Sequence, residues 1–297
     1  MTIFGIGTVV VDHAVLLERF PEPDTKIGVV RDWKQVGGPV PVALSTAAFY
    51  GQPCTFMGRW GTDAAGQFVQ RELGQRGIDL TASVSHDDWS TGFAQVWTEP
   101  DGRRTIAYSR GDFPLPTAED VLAKQLSQHN ILHLDGWAGD AAIAAARLMK
   151  EQGGTVVLDA GSVKPGLDEL LPLVDILIAS ALFRQSHFGS TSVSLDQLLG
   201  LNCDSVITTN GSDGASWYGP DQQHHHNGFS VNAIDTNGAG DIFSGAILDS
   251  INRGLTRYQA LEHANAVAAL SCTHYGNSTL PAPEEIAALI ASKSSGN

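Results

Sequence analysis

The segment Asp-Thr-Asn-Gly-Ala-Gly-Asp at residues 235–241 has an aspartate at each end and two glycines between them. Apolar residues at positions 242, 243, 246, 247 and 251 follow at the three- and four-residue spacing of an amphipathic helix. The glycines therefore lie at a helix N-terminus, where free backbone N–H groups and the helix dipole favour an anion such as a phosphoryl group. An acid in the first helical turn also suits the dipole alone, so this spacing by itself permits either catalysis or capping.

The composition excludes several functional classes. Of 297 residues, 42% are hydrophobic and 17% charged, which fits a globular protein with one large core. No apolar run approaches the roughly 18 residues that span a bilayer, and no basic stretch precedes the first apolar run, so we expect no membrane association and a cytoplasmic location. The net charge of −14 is spread along the chain, which argues against nucleic-acid binding. The cysteines, Cys54, Cys203 and Cys272, have neither zinc-site nor disulfide-framework spacing.

Short apolar runs alternate with helical patterns along the chain. This order predicts parallel strands with right-handed crossovers, hence a three-layer α/β/α fold with a mostly parallel central sheet. The predicted strands are residues 3–11, 131–134, 155–159, 175–178 and 205–209, and the predicted helices are 40–50, 66–76, 140–152, 167–171 and 194–199.

Two segments interrupt that alternation, at about residues 13–35 and 91–110. The second contains apolar and polar residues in alternation at 93–97 and 105–108, with Asp101-Gly102 between them as a turn signal. We predict that both segments form a small antiparallel β lid beside the main sheet, within a single domain of residues 1–297.

The complete string at 235–241, with an aromatic residue two positions after its last aspartate, resembles the C-terminal signature of the ribokinase-like (PfkB) carbohydrate kinases. Other segments resemble that family in the same order and spacing. They are the first strand with Asp12, the diglycine Gly37-Gly38 before a helix of small residues, a G-x-x-G-x-D-x-x-G turn at 58–66, a T-x-G-x-x-G loop at 209–214, and a late helix, 263–270, with Asn265. The resemblance covers most of the chain and implies an ATP-dependent sugar kinase.

The resemblance also implies roles for single residues. Asp241 would take the proton of the acceptor hydroxyl, the backbone amides of Gly238, Ala239 and Gly240 would form the anion hole, and ATP would bind with Mg²⁺. Substrate binding is predicted for Asp12, Lys26, Gly37, Gly38, Arg103 and Trp137, of which Lys26 and Arg103 lie in the lid segments and Trp137 at a strand end. Nucleotide binding is predicted for Ser180, Thr209, Gly211, Gly214 and Asn265. A monovalent cation, K⁺, is predicted beside Asp235, Asn237, Cys272, Gly276 and Ser278.

Two positions depart from the family pattern. Val42 stands where a sugar-binding Asn is common, which indicates an altered sugar site. The segment that begins at Ser180 reads Ser-Ala-Leu-Phe and lacks both the Asn and the Glu of an N-x-x-E motif whose acid helps to position metal and phosphate. Either Asp159 or Asp175 takes over metal positioning, or the activity is weak.

The acceptor is left open by the sequence. A neutral ketose, a pentose, a keto-deoxy sugar acid and a nucleoside all remain candidates. The chain is similar in places to the sulfofructose kinase branch of the family, but Trp137 stands where that branch is expected to have a sulfonate-binding arginine, which speaks against a sulfonate. A sugar phosphate is less favoured because only Lys26 and the arginines at 103 and 104 are evident cations near the lid. A nucleoside kinase and a catalytically weak regulator are the alternatives to a sugar kinase.

Two further expectations concern association and metal binding. A homodimer that forms through the lid is expected if the lid has an exposed apolar face. The histidines at 224–226 follow a turn signal and have no other ligand at recognisable spacing, so we expect a solvated loop there and not a metal site.

Overall fold

The computed structural model describes residues 2–100, 103–121 and 126–294. Its largest sheet has eight strands in the order β14-β13-β12-β11-β10-β9-β1-β4. Six of these strands pair in parallel and β13 runs antiparallel to its neighbours β12 and β14, so the predicted mostly parallel sheet is confirmed. The strands are β1 Ile3–Ile6, β4 Cys54–Met57, β9 Ile131–Leu134, β10 Thr155–Ala160, β11 Ile176–Ala179, β12 Ser205–Thr209, β13 Ala215–Tyr218 and β14 Gln223–His226.

Helices cover both faces of this sheet. Adjacent residues of a strand face opposite sides, so Ile3 packs into one core and Phe4 into the other, and neither side chain is exposed. This completes the predicted three layers. The helices are α1 Pro39–Phe49, α2 Ala64–Gln75, α3 Gly139–Glu151, α4 Leu167–Leu170, α5 Ala181–Phe188, α6 Leu195–Leu199, α7 Ala239–Asn252, α8 Arg257–Ser271 and α9 Pro283–Ser294.

A separate four-stranded sheet, here called the lid sheet, has the order β3-β2-β7-β8. Its strands are β2 Val10–Leu17, β3 Val29–Gly37, β7 Ser90–Thr98 and β8 Arg104–Asp112. The short strands β5 Arg59–Gly61 and β6 Val84–His86 form a separate parallel pair. The outer pairs are antiparallel, as predicted, but β2 and β7 pair in parallel, so the lid sheet is mixed. The predicted strand 3–11 is likewise two strands, because residues 7–9 leave the main sheet before β2 enters the lid sheet.

The motif at 58–66 joins the lid sheet to α2. The carboxylate of Asp63 caps this helix by accepting from the backbone N–H of Gly66 at 2.8 Å, and it also accepts from the N–H of Thr91 at 2.9 Å and its hydroxyl at 2.7 Å. Thr91 is the second residue of β7. The motif therefore positions the lid sheet against α2.

The sequence predicted a solvated loop for the histidines at 224–226, and this prediction is wrong. They lie in β14, and His226 is buried beside Phe229 and Tyr258. The turn signal before them is the hairpin between β13 and β14. Among the residues that the structure describes, no helix is long and apolar enough to cross a membrane.

Candidate active site

The N-terminus of α7 presents open backbone donors. Gly238 precedes this helix with a φ of 77°, a left-handed conformation that favours glycine, and its carbonyl accepts from the N–H of Ile242 at 2.9 Å. The amides of Gly238 and Gly240 have no protein acceptor among the described residues, whereas the amide of Ala239 donates to the Thr236 carbonyl at 3.3 Å. Two of the three predicted anion-hole amides are therefore free to bind an anion, and Asp241 follows them directly.

A cavity of about 370 Å³ opens beside these amides. It brings together four of the five residues predicted to bind the nucleotide. Asn265 is fixed there because its side-chain amide donates to the His226 carbonyl at 3.0 Å. The walls are small or apolar, which suits a planar base and a polyphosphate. The lining residues include Thr209, Gly211, Gly214 and Asn265, together with Ala239 and Gly240 of α7.

The fifth predicted nucleotide residue, Ser180, does not line this cavity. Its hydroxyl accepts from the backbone N–H of Phe183 at 3.0 Å, which caps α5, and it donates to the Gly161 carbonyl at 3.1 Å. In the same helix the buried Arg184, which the sequence analysis missed, donates to the Thr209 carbonyl at 3.3 Å and to the side-chain oxygen of Asn210 at 2.6 Å. Arg184 thus fastens the 209–214 loop from outside the cavity.

Asp12 is buried on the lid sheet and faces the segment before α7. Its carboxylate accepts from the side-chain amides of Gln35 at 3.1 Å and Asn237 at 3.4 Å. Gly37 is required here because a Cβ at that position would lie 2.4 Å from the Asp12 carboxylate. Gly38 has a φ of 107°, and a Cβ there would lie 2.4 Å from a backbone oxygen. The diglycine therefore lets β3 end close to Asp12, and Gln35 is a further site residue that the sequence analysis missed.

Three carboxyl groups gather where β9, β10 and α7 meet. The Asp159 carboxylate accepts from the Ser244 hydroxyl at 2.7 Å, and Asp135 accepts from the backbone N–H groups of Thr8 and Trp137, each at 2.9 Å. Burial raises the pKa of both Asp135 and Asp159 to about 6. The pKa of Asp241 is raised well above its ordinary value, first by burial and then by Asp159, Asp12 and Asp135. This concentration of acidic groups favours a bound proton or cation near neutral pH.

Asp159, and not Asp175, is the acidic residue that the fold brings to this site. Asp175 immediately precedes β11, at the opposite end of the sheet from the strand ends that hold Asp159. Its carboxylate accepts from the backbone N–H of Val156 at 2.7 Å and pairs with Lys150. Of the two candidates for metal positioning, Asp175 is therefore excluded by its location.

The two lid cations predicted to bind substrate, Lys26 and Arg103, lie in connections between lid strands. Arg103 pairs with Glu99 at 3.3 Å in the connection between β7 and β8, and Lys26 is exposed in the connection between β2 and β3. The neighbouring Arg104 instead donates to the Thr236 hydroxyl at 3.1 Å, and its charge lowers the pKa of Asp241. Side chains alternate between faces along a strand, so a shift of one residue decides which arginine reaches the site.

The predicted K⁺ ligands come from two loops that the fold holds together. Asp235 accepts from the backbone N–H groups of Asn237 at 2.9 Å and Gly276 at 2.8 Å, and its own N–H donates to the Cys272 carbonyl at 3.2 Å. Ser278 differs, because its hydroxyl accepts from Arg76 at 3.2 Å. These hydrogen bonds connect four of the five predicted residues, namely Asp235, Asn237, Cys272 and Gly276. No cluster of three or more His, Cys, Asp or Glu side chains suited to a metal occurs in the described part of the chain.

Comparison with known proteins identifies the family. A model of the pfkB family carbohydrate kinases matches residues 2–285. The chain belongs to this family. Family membership assigns it to the ATP-dependent carbohydrate kinases, which agrees with the helix N-terminus and cavity described above.

Relatives of known activity cover nearly the whole chain at low identity. An ATP-dependent ribose-1-phosphate kinase from Halopiger xanaduensis is 26% identical over 297 residues and covers 98% of each chain. A ribokinase from Staphylococcus aureus is 26% identical and covers 95% of this chain and 97% of its own. The structure of Arabidopsis thaliana ribokinase complexed with ribose and ATP has a TM-score of 0.83 at 24% identity and covers 97% of this chain and 98% of its own. This chain therefore has the ribokinase-like fold.

Proposed function

We propose that this protein transfers the γ-phosphate of ATP to a primary hydroxyl of a small sugar or sugar derivative. The observation that carries the proposal is the position of Asp241 immediately after the open amides of Gly238 and Gly240. On one side of this turn lies the cavity lined by Thr209, Gly211 and Asn265, which suits ATP. On the other side lies Asp12, which suits the hydroxyls of a sugar. The ribokinase and ribose-1-phosphate kinase relatives support an acceptor of this kind.

In the proposed reaction Asp241 accepts the proton of the attacking hydroxyl and orients its oxygen toward the γ-phosphate. Its raised pKa makes it a stronger base than an exposed aspartate, provided that it is ionised when the substrates bind. The amides of Gly238 and Gly240 stabilise the charge on the transferring group. Phosphoryl transfer depends mainly on such positioning and charge stabilisation, so no covalent step on the protein is needed.

The residues present fit Mg²⁺ bound together with ATP. Mg²⁺ prefers oxygen ligands and is usually held by one or two carboxylates plus substrate phosphates, so the missing three-residue cluster does not argue against it. Asp159, buried next to Ser244 in α7, is the residue we assign to hold it, directly or through water. When bound, Mg²⁺ would neutralise part of the charge on the β- and γ-phosphates. We retain K⁺ beside Asp235 and Cys272 as a further proposal, tested by the dependence of the rate on KCl against NaCl.

We assign the lid sheet the role of covering the acceptor. Asp12 lies on it, and Arg104 extends from it to Thr236. Closure of this kind excludes water, which would otherwise take the phosphoryl group. The lid sheet also exposes large apolar side chains, namely Val29, Val30, Phe93, Ile106 and Tyr108. We therefore retain the homodimer through the lid as a proposal. A monomeric mass in light scattering at micromolar concentration would contradict it.

The proposed function is tested by measuring ATP consumption with Mg²⁺ and K⁺ across sugars, sugar acids, sugar phosphates and nucleosides. The wild type and the Asp241→Asn variant are assayed in parallel, and nucleotide binding to both is followed by calorimetry. We expect an acceptor-dependent rate that the substitution lowers about 10²- to 10⁴-fold while nucleotide binding remains. Nucleotide binding without turnover of any acceptor would instead favour a regulator, and a strict preference for nucleosides would favour a nucleoside kinase.

A further inference from the structure

Two cations from distant parts of the chain meet on one aromatic ring beside the proposed acceptor site. The guanidinium carbon of Arg110 lies 4.2 Å from the centroid of the Trp137 ring, and the Lys164 ammonium lies 4.0 Å from the same centroid. We propose that Arg110 and Lys164, here called the basic pair, bind an anionic substituent of the acceptor, a phosphate or a carboxylate, at the end remote from the reacting hydroxyl. This inference rests on the proposed function and specifies its substrate class.

Three separate elements build the basic pair. Arg110 is near the end of β8 in the lid sheet, Lys164 follows β10, and Trp137 follows β9. Both β9 and β10 are parallel strands of the main sheet, and their C-terminal ends are where open α/β sheets bind ligands. The Trp137 ring holds both cations near one point, since the face of an indole attracts positive charge.

Neither member of the basic pair forms a salt bridge with a carboxylate among the described residues. Asp135 acts on Lys164 electrostatically, but its oxygens already accept from the N–H groups of Thr8 and Trp137. Burial lowers the pKa of Lys164, and the positive charge of Arg110 lowers it further. Two like charges held together without a carboxylate partner repel each other, and an anion between them would relieve that repulsion.

The position of the basic pair fits the acceptor better than it fits ATP. None of its residues lines the 370 Å³ cavity assigned to the nucleotide. Asp135, which accepts from the backbone of Trp137, also raises the pKa of Asp241, so the basic pair and the proposed base share one acidic neighbour. Arg104 and Arg110 stand an even number of residues apart on β8 and therefore share a face of the lid sheet. That strand thus extends from Thr236 near the anion hole to the basic pair.

The negative charge around the site explains why an anionic acceptor would need the basic pair. The chain carries a net charge of −14, and Asp12, Asp135, Asp159 and Asp241 converge on the site, so an anionic acceptor is repelled unless local cations offset that field. A neutral sugar needs no such cations. From the sequence, a sugar phosphate is less favoured because the evident cations near the lid are those at 26, 103 and 104. Arg110 and Lys164 remove that objection.

The test compares each neutral sugar with an anionic derivative that keeps a free primary hydroxyl remote from its charge. The pairs are ribose with ribose 1-phosphate, fructose with fructose 6-phosphate, and glucose with gluconate, so that the phosphate and carboxylate arms are separate. We expect the anionic member of at least one pair to have the higher kcat/KM. In the Arg110→Gln/Lys164→Gln double variant we expect that advantage to fall about 10- to 100-fold, as for lost hydrogen bonds to a charged group, because kcat/KM falls much more for the anionic member than for the neutral one.

Arg147→Gln is the matched control, since Arg147 is an exposed cation on α3. Calorimetric binding of each anionic sugar to the wild type and the double variant is measured as well, and it gives an answer even without turnover. If the wild type turns over no acceptor but binds an anionic sugar in a way that depends on the basic pair, the proposed kinase function is refuted and this inference is kept. If the double variant turns over and binds both neutral and anionic acceptors as the wild type does, this inference is overturned and the kinase function is kept.

Discussion

The proposed phosphoryl-transfer end and the proposed acceptor end of this site are built in different ways. At the first, the open amides and the proposed base lie within residues 238–241 at one helix N-terminus. At the second, Asp12 and Arg110 come from the lid sheet, whereas Trp137 and Lys164 come from two loops of the main sheet. One end is fixed by local backbone geometry and the other by tertiary packing. Such a division allows the acceptor to change while the transfer chemistry remains the same.

The largest expected effect separates the two ends by kinetics. In Asp241→Asn we expect kcat to fall about 10²- to 10⁴-fold, because the base is lost, with little change in nucleotide affinity. In Asp12→Asn we expect mainly a higher KM for the acceptor, since Asp12 lies on the lid sheet and contacts Asn237 but not the nucleotide cavity. Steady-state kinetics and calorimetry with a nucleotide analogue measure both. Equal losses of kcat in the two variants would contradict the division into two ends.

A second prediction concerns Arg104, a lid residue whose side chain reaches across to the transfer end. In Arg104→Met we expect kcat to fall roughly tenfold, less than the 10²–10³ typical of an oxyanion-hole donor, because Arg104 is exposed. Its positive charge lowers the pKa of Asp241, so its removal raises that pKa and moves the acid limb of the pH–rate profile to higher pH. Arg103→Met is the control, since Arg103 pairs with Glu99. An acid limb that shifts in the control but not in Arg104→Met would reverse the assignment.

The contrast also explains what could be predicted from the sequence. The β/α order and the 235–241 segment depend on local periodicity and spacing, and the sheet, its helices and the turn before Asp241 follow from them. The choice between Arg103 and Arg104 depends on strand register, which a one-residue shift inverts. The meeting of Arg110 with Lys164 depends on how the lid sheet sits on the strand ends, and no local signal encodes that. A helix cap and a ligand-binding serine look alike in a sequence; Ser180 caps α5 outside the nucleotide cavity, and its role in nucleotide binding stays a prediction.

A third prediction concerns Asp159 and Asp175, which the sequence left as alternatives for positioning the metal. The folded-state pKa of Asp159 is about 6 against an ordinary 3.8, so its contribution to stability is fully present below pH 4 and is lost as the pH rises through 6. Asp159→Asn removes this penalty, and we expect it to be more stable than the wild type at pH 8 by up to about 3 kcal/mol, with little difference at pH 4. Its kcat should fall because the proposed metal ligand is lost.

Asp175→Asn is the matched control for that prediction. Asp175 pairs with Lys150 and accepts from the backbone of Val156, at the other end of the sheet. We therefore expect this variant to be less stable than the wild type and to keep its kcat. Thermal unfolding across pH 4 to 8 and initial rates at saturating substrates measure both variants. An Asp159→Asn protein that is destabilised at pH 8 would show that the Ser244 hydrogen bond outweighs the cost of burying the charge.

The smallest expected effect tests where the nucleotide site ends. In Ser180→Ala we expect a loss of about 1 kcal/mol in the free energy of unfolding, since the cap on α5 is removed, and no change in KM for ATP. In Asn265→Ala we expect a higher KM for ATP, because Asn265 lines the cavity. Denaturant unfolding and ATP titrations distinguish the two variants. A several-fold rise in KM for ATP in Ser180→Ala at unchanged stability would extend the nucleotide site to α5, and the transfer end would then depend on tertiary packing as the acceptor end does.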